Sequence, residues 1–318
     1  MNLLFFNTNE RLRSGWRFLI FAFIFLLLIT FVEGLLFLLL KNSNQETSDF
    51  FRSNWGFLIQ NSLTLVVALA VGWFCQRFIE ELHFKTLGWT FQTSWLRDLL
   101  FGIAFGVFAL LIAVGIAAAG GSIKFQFNSG PESSELLQSF SVSAIVFLLG
   151  SAAEETLFRG YAFQTFSRAR LVWLAVLLTS IPFALVHLGN PNVVPGFTFI
   201  NTALAGVWLG AAYLKTRNLW FPVGVHFAWN WTMNGFFGIP VSGITSIAPA
   251  PILNSIPVDS NLTWLSGGDY GIEGGAACTA ALLISTLIIW FTPFLKPDEE
   301  LLLLTSRENP VSNNRTSV

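Results

Sequence analysis

The chain has 318 residues, of which 53% are hydrophobic and only 11% are charged, and its net charge is −1. A soluble domain averages about 25% charged residues, so this composition excludes an ordinary soluble protein. The near-zero net charge gives no indication of a nucleic-acid partner. We therefore expect an all-α, polytopic membrane protein.

Eight apolar runs are long enough to cross a hydrocarbon core of about 30 Å. The runs lack the two-residue alternation of a membrane β-barrel, and only helices and closed barrels satisfy the backbone in lipid. The predicted helical spans are Phe18–Leu40, Trp55–Phe74, Leu99–Ala119, Ser141–Phe166, Leu171–Leu188, Phe197–Leu214, Leu219–Phe237 and Gly274–Phe294.

The orientation follows from the basic residues. Arg11, Arg13 and Arg17 precede the first run, which is too long for a signal-peptide core and is therefore interpreted as a retained span. With the N-terminus inside, 13 Lys and Arg residues fall on inner segments and only 3 on outer ones. The positive-inside rule thus predicts that both termini are cytoplasmic.

The connecting segments suggest three regions. Residues 1–140 are predicted to form N-terminal membrane helices, with an interfacial connector at 79–98. Residues 141–295 are predicted to form a helical core that contains the candidate catalytic residues. The outer loop at 238–273 is rich in proline and is predicted to be irregular. Residues 296–318 are predicted to form a mobile polar tail.

Three charged residues interrupt the apolar fourth span. A charge at mid-membrane costs about 2.5–3.5 kcal/mol, so Glu154, Glu155 and Arg159 indicate a functional site. Glu155 and Arg159 are spaced i,i+4 on a helix and are expected to pair. Glu154 is rotated by about 100° from Glu155, which leaves it free to act as a general base. A purely structural salt bridge is the alternative interpretation.

Two of the three histidines also lie in apolar runs. His187 ends one predicted span, and His226 is followed four residues later by Asn230. Such side chains can hold a metal, position a water or donate hydrogen bonds to an oxyanion. They can equally cap a helix or join two helices. Cys75 and Cys278 give no indication of a disulfide or a cysteine metal site.

The order EExxxR (Glu154, Glu155, Arg159), FxxxH (Phe183, His187) and HxxxN (His226, Asn230) resembles the CAAX-protease and bacteriocin-processing family of intramembrane proteases. The GGDYGIEGG segment also resembles that family's approach to its last helix, and the resemblance covers roughly residues 145–275. It implies an eight-helix membrane fold that hydrolyses peptide bonds. Glu154 would activate the water. His187, His226 and Asn230 would polarise the carbonyl, stabilise the oxyanion or bind a metal, and Glu155 with Arg159 would hold the site together.

The resemblance leaves the cofactor and substrate open. Glu154, His187 and His226 are a candidate Zn²⁺ set, and a metal-free site is an equal alternative. The expected partners are membrane lipids and a peptide or protein substrate, with lipidated peptides as one subset, in a bacterial inner membrane. A non-catalytic immunity or scaffold protein and an ion-coupled transporter are the alternative functions.

The depths of the two histidines conflict in this scheme. His187 lies about 24 Å along its predicted span, whereas His226 lies about 10 Å along its own. The two side chains cannot meet if both helices begin at the same level and stand upright.

Overall fold

The computed structural model describes residues 4–7, 11–42, 47–91, 94–297 and 299–306. Within these residues five helical segments are long and apolar enough to span a membrane: Ser14–Lys41, Asn54–Ile79, Trp95–Ala119, Ser133–Arg168 and Phe197–Thr216. The other three predicted spans correspond to shorter helices. The chain is therefore a helical, polytopic membrane protein, as predicted, and the count of eight spans stays a prediction.

The N-terminal half contains α1 (Ser14–Asn42), α2 (Thr47–Arg52), α3 (Asn54–Phe74) and α4 (Trp95–Ala119). Helix α3 continues into a π-helical turn, Cys75–Ile79, and a 3₁₀ turn follows at Phe84–Leu87. Helix α2 was not predicted, because it is short and lies between two apolar runs.

The second half begins with α5 (Ser133–Arg159) and α6 (Tyr161–Arg168), which meet at Gly160. Three helices follow: α7 (Val172–His187), α8 (Phe197–Thr216) and α9 (Trp220–Trp231). A π-helical turn, Thr232–Phe236, extends α9. The last helices that the structure describes are α10 (Thr263–Ser266), α11 (Ala276–Phe291) and α12 (Glu299–Ser306).

The outer loop at 238–273 is more ordered than predicted. Its strand β2 (Leu253–Pro257) pairs antiparallel with β1 (Ile123–Phe127), with Ile123 opposite Pro257. The prediction of an irregular loop was wrong here, because the strand's partner lies more than a hundred residues away and β2 itself, unlike β1, does not alternate apolar and polar residues. Residues 238–273 are called the outer segment below.

Helices α4 and α9 approach each other closely through glycines. A side chain at Gly102 would collide with the Phe221 carbonyl, and one at Gly106 would collide with the Val225 carbonyl. Gly224 faces α4 in the same way, against Leu99. Small residues allow helix backbones to pack at short distance in membranes, and here they fix the helix that carries His226.

The structure places His187 and His226 on the walls of one cavity. The helices α7 and α9 therefore do not both begin at one level and stand upright. The connection into α7 is the buried helix α6, all eight residues of which are buried.

The connector at 79–98 packs under the turn between α8 and α9. The Leu219 backbone N–H donates to the Gly88 carbonyl at 3.0 Å, and the Trp220 indole N–H donates to the Thr90 carbonyl at 2.7 Å. The predicted mobile tail also begins with structure, since α12 buries Leu301 completely. Residues 307–318 lie outside the described residues.

Candidate active site

A cavity of about 230 Å³ lies between α3, α5, α7, α8, α9 and the outer segment. Its walls include four of the six predicted site residues: Glu154, His187, His226 and Asn230. The remaining two, Glu155 and Arg159, lie behind the wall and are fully buried. The fold thus brings together residues that are up to 76 positions apart in the chain, as the numbers of Glu154 and Asn230 show.

The two adjacent glutamates occupy different environments. The Glu154 side chain is 34% exposed and lines the cavity, whereas the Glu155 side chain is completely buried. Adjacent residues on a helix differ by about 100° in direction, which accounts for the difference. Only Glu154 can therefore meet a water or a ligand in the cavity.

Arg159 compensates the buried charge of Glu155. Its Nη1 lies 3.1 Å from Glu155 Oε1, which confirms the predicted i,i+4 pair. Its Nη2 donates to the Gly206 carbonyl at 3.1 Å, and its guanidinium lies 5.0 Å from the Phe183 ring centre. The arginine therefore connects α5 to α7 and α8 around the base of the cavity.

His226 joins both glutamates. Its Nδ1 lies 3.0 Å from Glu155 Oε1, so Nδ1–H donates to that carboxylate. Its Nε2 lies 3.7 Å from Glu154 Oε2, which is an ion-pair distance and too long for a direct hydrogen bond. The imidazole is thus oriented by the buried acid and directs its other nitrogen towards the cavity-facing acid.

His187 is held by its own helix. Its Nδ1 lies 2.7 Å from the Phe183 carbonyl, which can only accept, so Nδ1 carries the proton. The ring also packs on the Phe183 ring at 4.6 Å between centres. Nε2 is then the nitrogen that His187 can offer to the cavity, opposite Asn230 on α9.

Several cavity residues were not predicted. Asn61 comes from α3, and Asn190, Ser242 and Glu273 come from the connections on the outer side. Asn61 could have been found from the sequence, because it is a polar residue inside the apolar run of α3. No signal could place Ser242 or Glu273, because their positions depend on how the outer segment folds.

The predicted Zn²⁺ set of Glu154, His187 and His226 stays a prediction. Among the described residues, no three His, Cys, Asp or Glu side chains lie close enough together to hold an ion. The Nδ1 atoms of His226 and His187 are hydrogen-bonded to Glu155 and to the Phe183 carbonyl, an arrangement that leaves Nε2 of each ring as the possible metal ligand.

Fold and site together define a class: a helical integral membrane protein with a carboxylate and two imidazoles on the wall of one internal cavity. Residues 136–232, which contain all six predicted site residues, match the model of a family described as type II CAAX prenyl endopeptidase Rce1-like. In this segment the chain is therefore similar to the CAAX protease family. The match supports a membrane endopeptidase of this type. No curated protein and no solved structure shows significant similarity to the chain.

Proposed function

We propose that the chain is an intramembrane endopeptidase in which Glu154 activates a water molecule. The observation that carries the proposal is the position of Glu154: it is the acid of the pair that faces the cavity, and it lies beside His226. Glu155, in contrast, is bound to Arg159 and His226 and has no access to the cavity.

The proposed steps are assigned to the side chains of the cavity. Glu154 takes a proton from water, and the resulting hydroxide adds to the peptide carbonyl carbon. The carbonyl oxygen becomes an oxyanion, and Glu154 returns the proton to the leaving nitrogen as the C–N bond breaks. One water is consumed, and a carboxyl and an amino terminus form.

The surroundings of His226 support its role as an oxyanion donor. Its Nδ1–H is held by Glu155, so in the proposed step a protonated His226 ring presents Nε2–H to the cavity. Its Nε2–H and the Asn230 amide then provide hydrogen bonds to the developing oxyanion. His187, held by the Phe183 carbonyl, provides Nε2 to orient the water or the leaving group.

The proposed substrate is a peptide or protein segment that reaches the cavity from the membrane. A bacterial inner membrane suits the basic inner loops, and lipidated peptides are one class to include in any test. The closely packed, mainly apolar walls favour a hydrophobic or extended segment over a folded domain.

The test is cleavage of a peptide library, prenylated and plain, by detergent-purified protein. Glu154→Gln keeps the shape of the side chain but removes the base, so we expect the rate to fall by about 10²–10⁴-fold. Melting temperature and size-exclusion profile should stay unchanged. A Glu154→Gln protein that cleaves like the wild type would contradict the mechanism, and an unchanged cellular phenotype would favour the scaffold alternative.

A further inference from the structure

Glu273 is a cavity-wall carboxylate with no part in the mechanism above. It lies in the 3₁₀ turn Ile272–Gly274, within the GGDYGIEGG segment. Its Oε1 accepts from the Trp229 indole N–H at 3.0 Å, and its Oε2 accepts from the Ser242 backbone N–H at 2.8 Å and the Ser242 hydroxyl at 2.7 Å. Both oxygens of the carboxylate are therefore engaged.

The donors belong to two different elements. Trp229 lies on α9 between His226 and Asn230. Ser242 lies in the Val241–Ile244 turn of the outer segment, which lines the cavity. Two backbone hydrogen bonds between Val241 and Ile244, at 3.1 and 2.8 Å, close this turn. One carboxylate thus connects that turn to the helix that carries two predicted site residues.

The turn that holds Glu273 is itself anchored. The Asn201 amide on α8 donates to the Glu273 carbonyl at 2.7 Å and to the Gly275 carbonyl at 2.9 Å. The Thr279 hydroxyl on α11 donates to Asn201 Oδ1 at 2.6 Å. Glu273 therefore extends from a fixed backbone, and the elements bound to its side chain take their position from it.

We propose that Glu273 is a positioning residue that holds the Val241–Ile244 turn against the cavity and fixes the rotation of α9. Loss of its charge releases both elements: the cavity opens to reagents, and His226 and Asn230 move out of line with Glu154. The second consequence rests on the proposed peptidase function, whereas the first does not.

The native thiol of Cys278 reports on the opening. Cys278 lies on α11, lines the same cavity and is only 2% exposed. In a Cys75→Ala background it is the single cysteine, and its rate of modification by N-ethylmaleimide measures access to the cavity. The Cys278→Ala protein gives the background.

Glu273→Gln retains one oxygen acceptor but replaces the other with an NH₂ group, so one set of donors loses its acceptor. We expect Cys278 modification at least about tenfold faster than in the reference protein, in line with the loss of hydrogen bonds to a charged group. The matched control is Asp269→Asn, which removes the same charge from an exposed side chain of the same glycine-rich segment. In this variant Cys278 should be modified at the same rate as in the reference protein.

Two single-donor variants separate the two connections. Ser242→Ala removes one donor on the turn, so Cys278 should react faster than in the reference protein. Trp229→Phe removes the donor on α9, so kcat should fall while Cys278 stays protected. An effect confined to melting temperature, or equal Cys278 rates in Glu273→Gln and the reference, would overturn the proposal.

The two proposals fail separately. If wild type cleaves no peptide but Glu273→Gln exposes Cys278, the peptidase function fails and the positioning role stands. If wild type cleaves peptides and Glu273→Gln changes neither Cys278 modification nor kcat, the peptidase function stands and the positioning role fails.

Discussion

At the scale of single residues, the site depends on charges that water does not reach. Glu155 and Arg159 have no exposed side-chain surface, and His226 has 10%. A buried charge that loses its partner retains its desolvation cost without compensation. The geometry of the cavity therefore depends on residues that do not line it.

Arg159→Ala leaves the Glu155 carboxylate buried with only His226 as a partner. We expect the free energy of unfolding to fall by about 3–5 kcal/mol, measured by thermal or denaturant unfolding in detergent. Arg77→Ala is the control, because Arg77 is an exposed arginine on the π-helical turn after α3. Equal stability of the two variants would show that the Glu155–Arg159 pair is not a structural requirement.

Asn61 is a polar cavity residue that lies outside residues 136–232, the segment matched by the family model, and it could contact a substrate. Its amide lies beside Gly150, where an added Cβ would be 3.1 Å from Asn61 Nδ2. Asn61→Ala should raise KM by about two- to tenfold, the worth of one neutral hydrogen bond, with kcat and stability little changed. Gln60→Ala is the control, since Gln60 bonds to its own helix through the Gly56 carbonyl at 3.2 Å. Equal KM values for the two variants would exclude a substrate contact at Asn61.

At the scale of elements, the α4–α9 contact decides where His226 and Asn230 lie. The contact has glycines on both helices, so the backbones can approach without intervening side chains. Any added volume there must displace α9, because α4 is a long span held by its own neighbours. The effect on the site should therefore be larger than the effect of a similar change elsewhere on α4.

Gly106→Val places a branched side chain against the Val225 carbonyl and the Ala228 side chain. We expect a loss of about 1–3 kcal/mol from overpacking, together with slower peptide cleavage as His226 shifts. Gly115→Val is the matched control: it introduces the same residue on the same helix, where a Cβ would meet nothing within 4 Å. A similar loss in both variants would attribute the effect to helix propensity alone.

At the scale of the whole molecule, a second buried ion cluster connects the N-terminal helices to the second half of the chain. Glu80 accepts from Arg17 on α1 at 3.1 Å and from Arg168 on α6 through both oxygens, at 2.8 and 3.0 Å. Burial alone would raise the pKa of Glu80, but the charges of Arg168 and Arg17 outweigh it and hold the pKa below its ordinary value. The first helix is thereby tied to the family-matched segment.

The lowered pKa of Glu80 predicts an acid dependence. Its contribution to stability is present above the unfolded pKa of about 4.5 and is lost as the pH falls through the lower folded pKa. Glu80→Gln leaves Arg17 and Arg168 without their carboxylate, so it should unfold more easily at neutral pH and show a weaker loss of stability in acid. Unfolding midpoints between pH 3 and 7, compared with Glu81→Gln at the exposed neighbour, measure this. Parallel pH profiles for wild type and Glu80→Gln would contradict it.

Local sequence patterns were sufficient to predict the helices and one ion pair of the site. The other contacts of the site depend on long-range packing. The i,i+4 spacing was sufficient to predict the Glu155–Arg159 pair, and apolar runs were sufficient to locate the helices. The contact from His226 to Glu155 could not be predicted in the same way, because it requires α9 to pack against α5. The position of α9 in turn depends on the glycines of α4. Glu273 and the β1–β2 pair depend on the fold of the outer segment, which has no periodic pattern to read.

The short length of α9 has a consequence for biogenesis. This helix has 12 residues, or 17 with the π-helical turn that extends it, whereas an independent transmembrane helix needs about 20. The first residues of α9 are buried by the surrounding protein. We therefore expect α9 to insert poorly into a membrane by itself and to require α4 to be in place. A nascent chain can therefore expose the acid pair of α5 before His226 and Asn230 have joined it. The site of the proposed endopeptidase is therefore assembled only when the fold is complete.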